Sequence, residues 1–383
     1  MSSDLLSQSS TTTMLEQTTP QARAAQIPLQ TFNLPIFPAE SFTSSPEHGG
    51  IESLILTSDI TMSEYQSLLA QPFSMPALLP PTITSLALEL FALGFPPGFL
   101  AALGAKLPRL RAVTVYHGMV AGITSASRED AVAFFGAARE ALSEAHLLDV
   151  FAPEGFFAEV AESLMGVVGG ASKVEGGGHL KLVEISYTFR HSDPRFLDTL
   201  PRGAELARFV RGGLVGLRLG IVGPGVVVEG DDGAVEGTEI GVLVKGREEG
   251  EEVVGAIVKR GGGLGMCDLT MFELGGEQIA RVLSACKGLT VGAFSVTVEK
   301  GWEEVLAALA AMEDGVGMEY LELVGVPGME MVEGLKEGKE IGVRVGELLR
   351  LGEKWRELRS VRVSLCRTKG EEWVREGEEW VKR

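Results

Sequence analysis

The chain has 383 residues, of which 45% are hydrophobic and 22% charged, a balance typical of folded proteins and too apolar for wholesale disorder. Its 52 acidic and 34 basic side chains give a formal net charge of -18, which repels phosphate backbones and anionic lipid surfaces. We therefore expect no nucleic-acid and no membrane partner. The acidic excess either keeps the chain soluble or meets a basic partner surface.

Residues 1–50 are polar and rich in Ser, Thr and Pro, and we predict a disordered tail there. Met1 to Gln30 contains no apolar stretch of signal-peptide length. The three cysteines of the chain are too scattered for a disulfide framework or a zinc site with CxxC spacing. These features favour a reducing compartment, cytoplasmic or nuclear.

One short pattern recurs after residue 50. It consists of an apolar residue, two free positions, an apolar residue, one free position and a third apolar residue. Clear copies begin at Ile51, Ile83, Leu110, Leu180, Leu214, Met318 and Leu358; weaker ones begin at Leu142 and Leu264, and a poor one lies within Leu289 to Val298. The copies start about 25 to about 50 residues apart, a spacing near that of helix-containing repeats. Each copy is predicted to form a short strand.

Segments with helical spacing separate these strands. We predict helices at Phe99–Leu107, Ser127–Leu142, Phe156–Val168, Phe196–Leu200, Val253–Lys259, Gln278–Cys286, Trp302–Met312 and Val345–Trp355. Ser127 followed by Asp130 is typical of a capping box. Repeated strand and helix units predict parallel strands with crossover connections. We therefore predict one α/β solenoid over residues 51–383, with a parallel sheet on its concave face.

Two segments depart from the rhythm. Glycines and acids interrupt it at about 223–252, where we predict an exposed insertion that is either a solvated loop or a docking loop for a basic partner. Trp373 and Trp380 are one heptad apart and would share a helical face. A helix at about 370–383 is therefore predicted to cap the last repeat, with partner binding as the alternative role.

The LxxLxL copies and their intervening helices resemble the leucine-rich repeats of the substrate-binding half of F-box proteins, over roughly Ile51 to Leu365. The stretches Leu86 to Leu100 (LALELFALGFPPGFL) and Leu147 to Phe157 (LLDVFAPEGFF) are also similar to a fungal protein family with no assigned activity. The resemblance implies an irregular leucine-rich-repeat solenoid that binds a protein. It also implies, as an alternative, an F-box-like substrate receptor of a ubiquitin ligase that binds a Skp1-type adaptor through the tail.

The chain departs from that family at two points. Regular repeats carry Asn or Cys at the ninth position to hydrogen-bond the turn backbone, and the asparagine ladder is absent here. The ninth positions are Asp59, Phe91, Gly118, Val150, Thr188, Val222, Phe272, Val326 and Cys366. Uneven curvature is therefore expected, with a mixed α/β domain pair as the alternative. Leu34 through Phe42 lacks a long helical continuation, which indicates a degenerate or absent F-box.

Motifs for catalysis and cofactor binding are weak. His191, Ser192 and Asp193 are adjacent, whereas a catalytic triad is assembled from separate segments. Gly261 to Gly265 precedes a strand, the reverse of the order that cradles phosphate at a helix start. No histidine has a partner at metal-ligand spacing. We predict no catalytic, cofactor or metal site; the alternative, an α/β enzyme, requires a pocket with titratable groups at the carboxyl ends of the strands.

The free position between the last two apolar residues of each copy should point away from the core, so that neighbouring strands align these positions in a column. The column comprises Ile55, Ala87, Thr114, His146, Glu184, Arg218, Asp268, Glu322 and Arg362, with Tyr187, Thr270, Tyr320 and Ser364 nearby. Arg and Tyr are frequent interface anchors. We predict that His146, Glu184, Arg218, Asp268, Tyr320, Glu322 and Arg362 bind a protein partner whose identity the sequence does not specify. A face that meets only water is the alternative.

Overall fold

The computed structural model describes residues 29–34, 52–58, 63, 66, 79–80, 82–89, 94–95, 97–116, 118–166, 179–189, 195–222, 244–312, 317–336, 342–365 and 369–383. The strands are β1 Leu29–Leu34, β2 Ser53–Ser58, β3 Ser85–Glu89, β4 Ala112–Tyr116, β5 Glu144–Leu148, β6 Leu182–Thr188, β7 Gly216–Val222, β8 Met266–Leu274, β9 Val291–Val298, β10 Tyr320–Pro327, β11 Ser360–Leu365, β12 Lys369–Glu376 and β13 Glu379–Lys382. The α-helices are α1 Phe99–Lys106, α2 Ser125–Ala138, α3 Phe156–Met165, α4 Gly203–Leu206, α5 Arg247–Arg260, α6 Gly276–Ala285, α7 Trp302–Ala310, α8 Met329–Lys336 and α9 Val345–Lys354.

These strands form a single thirteen-stranded sheet in which spatial order follows chain order. β1 to β11 are parallel, and β12 and β13 continue the sheet in antiparallel pairing. The ten segments that the apolar pattern predicts as strands occur as β2 to β11, which confirms that part of the prediction. The fold is α/β, and consecutive parallel strands joined through helices are compatible with a repeat solenoid.

The apolar pattern forms the core because alternate strand residues project to one face. In β5, Ala145 and Leu147 are buried, and Leu142 is buried two residues before the strand begins. Backbone hydrogen bonds also connect the residues that come just before neighbouring strands. The amide of Ser143, before β5, donates to the carbonyl of Arg111, before β4, at 2.7 Å. Each described helix contributes side chains to the same continuous core, so the helices pack on this inward face. No described helix is long and apolar enough to cross a membrane.

A carboxylate on one helix caps the helix of the preceding repeat. The cap of α2 is Thr124, whose hydroxyl accepts a hydrogen bond from the Ser127 amide at 3.1 Å, so the capping box predicted at Ser127 and Asp130 is wrong. Asp130 instead accepts from the amides of Leu100 and Ala101 in α1, at 2.8 and 2.9 Å. Free amides at a helix start need such acceptors. Burial raises the pKa of Asp130 despite these bonds.

The predicted capping helix at about 370–383 is wrong, because β12 and β13 form a β-hairpin there. Glu376 and Glu379 are the closing pair, and Gly377 takes a positive φ of 70°, which suits the first position of a two-residue hairpin turn. Trp373 and Trp380 are both buried, and the Trp380 indole packs on Gly352 of α9. The tryptophans thus cover the last repeat from two strands, not from one helix.

Two predicted domain boundaries also need correction. Residues 29–34 form β1, which pairs in parallel with β2, so the predicted tail over 1–50 contains a strand; the rest of that range lies outside the described residues. Residues 247–252 of the predicted insertion form the first turns of α5. Glu248 and Glu249 lie in its first turn, where the positive end of the helix dipole stabilises negative charge. Residues 223–243 lie outside the described part of the chain.

Substitution of two adjacent leucines in β5 can test which face of the sheet packs against the core. Leu147 is fully buried and Leu148 lies on the outer face, partly exposed. Leu147→Ala should lower the free energy of unfolding in urea by about 2 to 5 kcal/mol, because it leaves a cavity in the core. Leu148→Ala removes the same atoms one residue later and should cost well under half as much. Equal losses from the two variants would contradict the assignment of the faces.

Candidate interaction face

The predicted column forms in register across the sheet. Ile55 pairs with Ala87, Ala87 with Thr114 and Thr114 with His146. The column then continues through Glu184, Arg218, Asp268, Ala293, Glu322 and Arg362. Ala293 is the member that the poor apolar copy in β9 did not reveal. The in-register pairing places each member one strand spacing from the next.

Four of the predicted residues form one chain of ion pairs, here called the charged row: His146, Glu184, Arg218 and Asp268. The Nδ1 atom of His146 lies 2.7 Å from Oε2 of Glu184. The Arg218 guanidinium donates through Nη1 to Oε1 of Glu184 at 2.9 Å and through Nε to Oδ2 of Asp268 at 3.1 Å. The charges alternate along the row, so each carboxylate is held by a cation.

Arg218 and Asp268 of the charged row are buried, contrary to the expectation that these positions face solvent. Arg218 is only 6% exposed and Asp268 7%. Gly216 and Gly220, on the same face of β7, leave room on either side of Arg218, and Leu182 and Met266 lean over Gly216 from both neighbouring strands. The Arg218 guanidinium therefore lies in a trough between larger side chains and is not available as an interface anchor.

The titration of His146 reflects its two carboxylate neighbours. Burial by itself would lower the pKa of His146, but Glu144 and Glu184 outweigh it and raise the pKa to about 9. Glu144 lies two residues earlier in β5, with Oε2 3.8 Å from Nε2 of His146, and its own pKa is lowered by the histidine. Burial would raise the pKa of Glu184, yet His146 and Arg218 lower it. His146 is therefore a cation at neutral pH.

The remaining predicted residues lie at the other end of the face. Glu322 and Arg362 are neighbours in the column, with Oε1 and Nη1 3.8 Å apart, and Tyr320 lies two residues before Glu322 and is partly exposed. Ala293 separates this group from Asp268, so the structure brings the seven predicted residues together as two clusters on one face.

Sequence reasoning predicted only Tyr320 of an apolar row that lies beside the charged one. Leu182, Met266, Val291 and Tyr320 lie two residues before the column in β6, β8, β9 and β10, and all are partly exposed. We call these four residues the apolar row. The signal was present, because they have the outward parity of their strands and yet are apolar or aromatic.

Tyr187 was expected near this face and lies in the core instead. Odd-numbered residues of β6 point inward, which buries Tyr187 completely with its hydroxyl donating to the Val150 carbonyl at 2.7 Å. Burial raises its pKa well above the usual range. Thr270 and Ser364 are also buried, so of the four nearby residues Tyr320 alone is partly exposed.

The other residues singled out in the sequence carry no further chemistry. Cys267 is buried as predicted, and burial raises its pKa well above the usual range of a thiol. Gly261 to Gly265 forms the predicted turn, between α5 and β8. His191, Ser192 and Asp193 lie outside the described residues. Within the described residues, no group of three or more His, Cys, Asp or Glu side chains is placed to hold a metal ion.

Comparison with known proteins adds no relative: no protein-family model matches the chain, and no curated protein is significantly similar to it.

The charged row can be tested through the stability of the fold. Arg218→Met leaves the buried carboxylate of Asp268 without its cation and leaves Glu184 with His146 alone, and should lower the free energy of unfolding in urea by about 3 to 5 kcal/mol. The matched variant Arg362→Met, at the more exposed end of the column, should cost about 1 kcal/mol. Adding Glu184→Gln and Asp268→Asn to Arg218→Met should recover part of the loss. A fully stable Arg218→Met protein would refute the role of the row.

His146 predicts a dependence of stability on pH. The pKa in the folded state, about 9, is above the ordinary value of 6.5, so the stabilisation is fully present below pH 6.5 and is lost as the pH rises toward 9. In urea unfolding, the wild-type protein should lose up to about 3 kcal/mol across this window through His146. His146→Gln should abolish that part of the slope, and His179→Gln, at an exposed histidine, is the control. An NMR titration midpoint of His146 near 6.5 would contradict the assignment.

Proposed function

We propose that this protein is a non-catalytic scaffold or adaptor that binds a protein partner through the outer face of its sheet. The observation that carries the proposal is the apolar row of Leu182, Met266, Val291 and Tyr320, which stays partly exposed beside the charged row. The helices cover the opposite, inward face of the strands. These four residues begin their strands, so the apolar row runs along the amino-terminal edge of the face. Exposed apolar and aromatic side chains bordered by polar groups are typical of protein interfaces.

The charged row contributes rigidity to this face. Arg218 and Asp268 are fixed by ion pairs and buried, so they gain little from a new partner. Binding energy is instead expected from the apolar row, whose side chains start from a preorganised sheet and lose little conformational freedom on association. Arg362, at one end of the column, and His146, at one end of the charged row, remain partly exposed and are suited to setting the orientation of the partner.

The proposed architecture is an irregular leucine-rich-repeat solenoid, supported by ten strands that follow the LxxLxL copies in consecutive parallel order. The net charge of -18 favours a partner with a basic surface, and we propose a cytoplasmic or nuclear setting. The F-box-like alternative, with a Skp1-type adaptor, depends on Leu34 through Phe42. Of these residues Leu34 alone lies within the described part of the chain, at the end of β1.

The proposed face can be tested with two variants that carry the same substitution, one on the outer face of the sheet and one on the helical side. Val291→Glu places a charge in the apolar row, whereas Val258→Glu places the same charge at an exposed position of α5. In affinity capture with the full chain followed by quantitative mass spectrometry, Val291→Glu should reduce recovery of the partner by about tenfold or more. Val258→Glu should leave that recovery unchanged.

Both variants must retain the wild-type melting temperature for this comparison to count. A partner captured equally by Val291→Glu and by wild type would rule out the apolar row as the binding surface. A partner lost with Val258→Glu would move the interface to the helical side.

A further inference from the structure

A groove of about 830 Å³ crosses the amino ends of the strands β2 to β6, and we call it the amino-end groove. It lies opposite a cavity of about 590 Å³ at the carboxyl ends of the strands, where the enzyme alternative requires a pocket. The residues just before five consecutive strands line the groove: Glu52 before β2, Thr84 before β3, Arg111 before β4, Ser143 before β5 and Lys181 before β6. Each of these repeats therefore contributes one residue to the lining at an equivalent position.

Backbone hydrogen bonds fix the spacing of these residues. The amide of Ser143 donates to the carbonyl of Arg111, and the amide of Lys181 donates to the carbonyl of Ser143, both at 2.7 Å. Arg111 and Lys181 are therefore two strand spacings apart, which is about 10 Å between their backbones. Their side chains are long enough to converge on one small group beside Ser143.

The lining carries three exposed cations, Arg109, Arg111 and Lys181, whose hydrogen-bond donors are largely free. The guanidinium groups of Arg109 and Arg111 make no hydrogen bond or ion pair with any described residue. Lys181 donates one hydrogen bond, to the carbonyl of Gly213 at 3.3 Å, and so keeps two of its three donors. These donors point to an acceptor that is not part of the described chain.

Two carboxylates also line the groove, and neither is paired with these three cations. Glu140 is paired with Arg139, whose Nε atom lies 2.9 Å from its Oε1 atom. Glu52 is exposed at the far end of the groove, before β2. The hydroxyl groups of Thr84 and Ser143 already donate to backbone carbonyls, at 3.4 and 3.0 Å. The charged donors that remain free are therefore those of the cations.

These unpaired cations are unexpected in a chain with 52 acidic and 34 basic side chains. By contrast, Arg128 and Arg247 are paired with Glu159 and Glu273, at 2.9 and 2.8 Å. Cations held close together repel one another, and an anion placed between them removes that cost. At physiological ionic strength the Debye length is about 8 Å, so the distant acids of the chain contribute little to the field in the groove.

We propose that the amino-end groove binds a phosphate monoester, a compact group that carries about two negative charges at neutral pH. Arg111 and Lys181 hold the phosphate from the two sides of Ser143, and Arg109 adds a third positive charge. A guanidinium group donates two parallel hydrogen bonds to phosphate, whereas an ammonium group acts as a point charge. A long polyanion is disfavoured because it would extend beyond the groove onto the acidic surface of the chain.

The same group is supplied by a phosphorylated small molecule or by a phosphorylated Ser or Thr in a bound peptide. The groove uses none of the side chains of the apolar row, so this inference does not depend on the proposed function and is tested by different variants.

The test uses the full chain and three probes: glycerol 3-phosphate, a blocked five-residue alanine peptide with one central phosphoserine, and dimethyl phosphate. Binding is measured by calorimetry and by phosphorus NMR at low salt. At least one of the two monoesters should bind saturably, and dimethyl phosphate should bind about tenfold more weakly because it carries one negative charge in place of two. A preference for the phosphopeptide would identify a phosphorylated partner as the source, and a preference for glycerol 3-phosphate a small molecule.

Arg111→Gln and Lys181→Gln should each weaken the monoester by about tenfold, because each removes a charge and its hydrogen bonds to the phosphate. The matched variant Arg350→Gln, which removes an exposed cation of α9, should weaken it by less than about twofold. All three positions are exposed, and either groove variant decides the matter if the other does not fold.

The proposal is overturned if neither monoester binds the wild-type protein saturably, or if dimethyl phosphate binds as tightly as the monoesters. It is also overturned if Arg111→Gln and Lys181→Gln both bind like wild type, or if Arg350→Gln weakens binding as much as they do.

Discussion

Hydrogen bonding between successive parallel strands is the interaction on which the rest of this structure depends. No strand can satisfy its own backbone N–H and C=O groups, so each repeat supplies hydrogen-bond partners to the backbone of the repeat before it. These bonds begin at the residues just before each strand and continue to the last residues of β11. The same dependence extends to the helices, because Asp130 of α2 supplies the acceptors that the start of α1 lacks. A repeat taken alone would therefore leave both apolar surface and polar backbone unpaired.

Register is the second consequence of this pairing. In-register parallel strands force equivalent residues of successive repeats into rows, and side chains on one row are neighbours whether or not they attract one another. Along the charged row the signs alternate, from His146 to Glu184, Arg218 and Asp268. A slip of one residue would turn a charge into the core and break two ion pairs at once. The row therefore helps to specify the pairing of β5 to β8 as well as the character of the surface.

The strands were predictable because a period of two in apolar residues leaves only one face to bury, and the column followed from that period. The burial of Arg218 in this column could not be predicted, because the effect of Gly216 and Gly220 on Arg218 depends on the side chains of Leu182 and Met266, which lean in from the neighbouring strands. The C-terminal hairpin was missed for another reason. Tryptophans seven residues apart suit a helical face, and they equally suit two strands joined by a turn at Gly377.

The amino-end groove was also beyond sequence reasoning, since its lining spans Glu52 to Lys181 and no local pattern connects those residues. Each of the segments that build it precedes a strand whose position the repeat fixes. At the other end of the strands, Asp149 shows how closely the connections are tied to the sheet: it adopts a positive φ of 52°, and its carboxylate accepts from the amide and hydroxyl of Thr188 on the next strand. Variation in the connecting sequences can therefore change the lining of the groove while the strands stay the same.

The antiparallel hairpin at the end of the sheet has a consequence for polymerisation. A stack of parallel strands that ended on β11 would present an edge of the same polarity as every internal pairing, and a second copy of the chain could continue the stack indefinitely. β12 reverses the strand direction and β13 reverses it again, so the terminal strand runs in the direction of β11, but it has only four residues, with Glu379 and Lys382 exposed. Growth of a filament from this end would require a short, charged strand to act as its template.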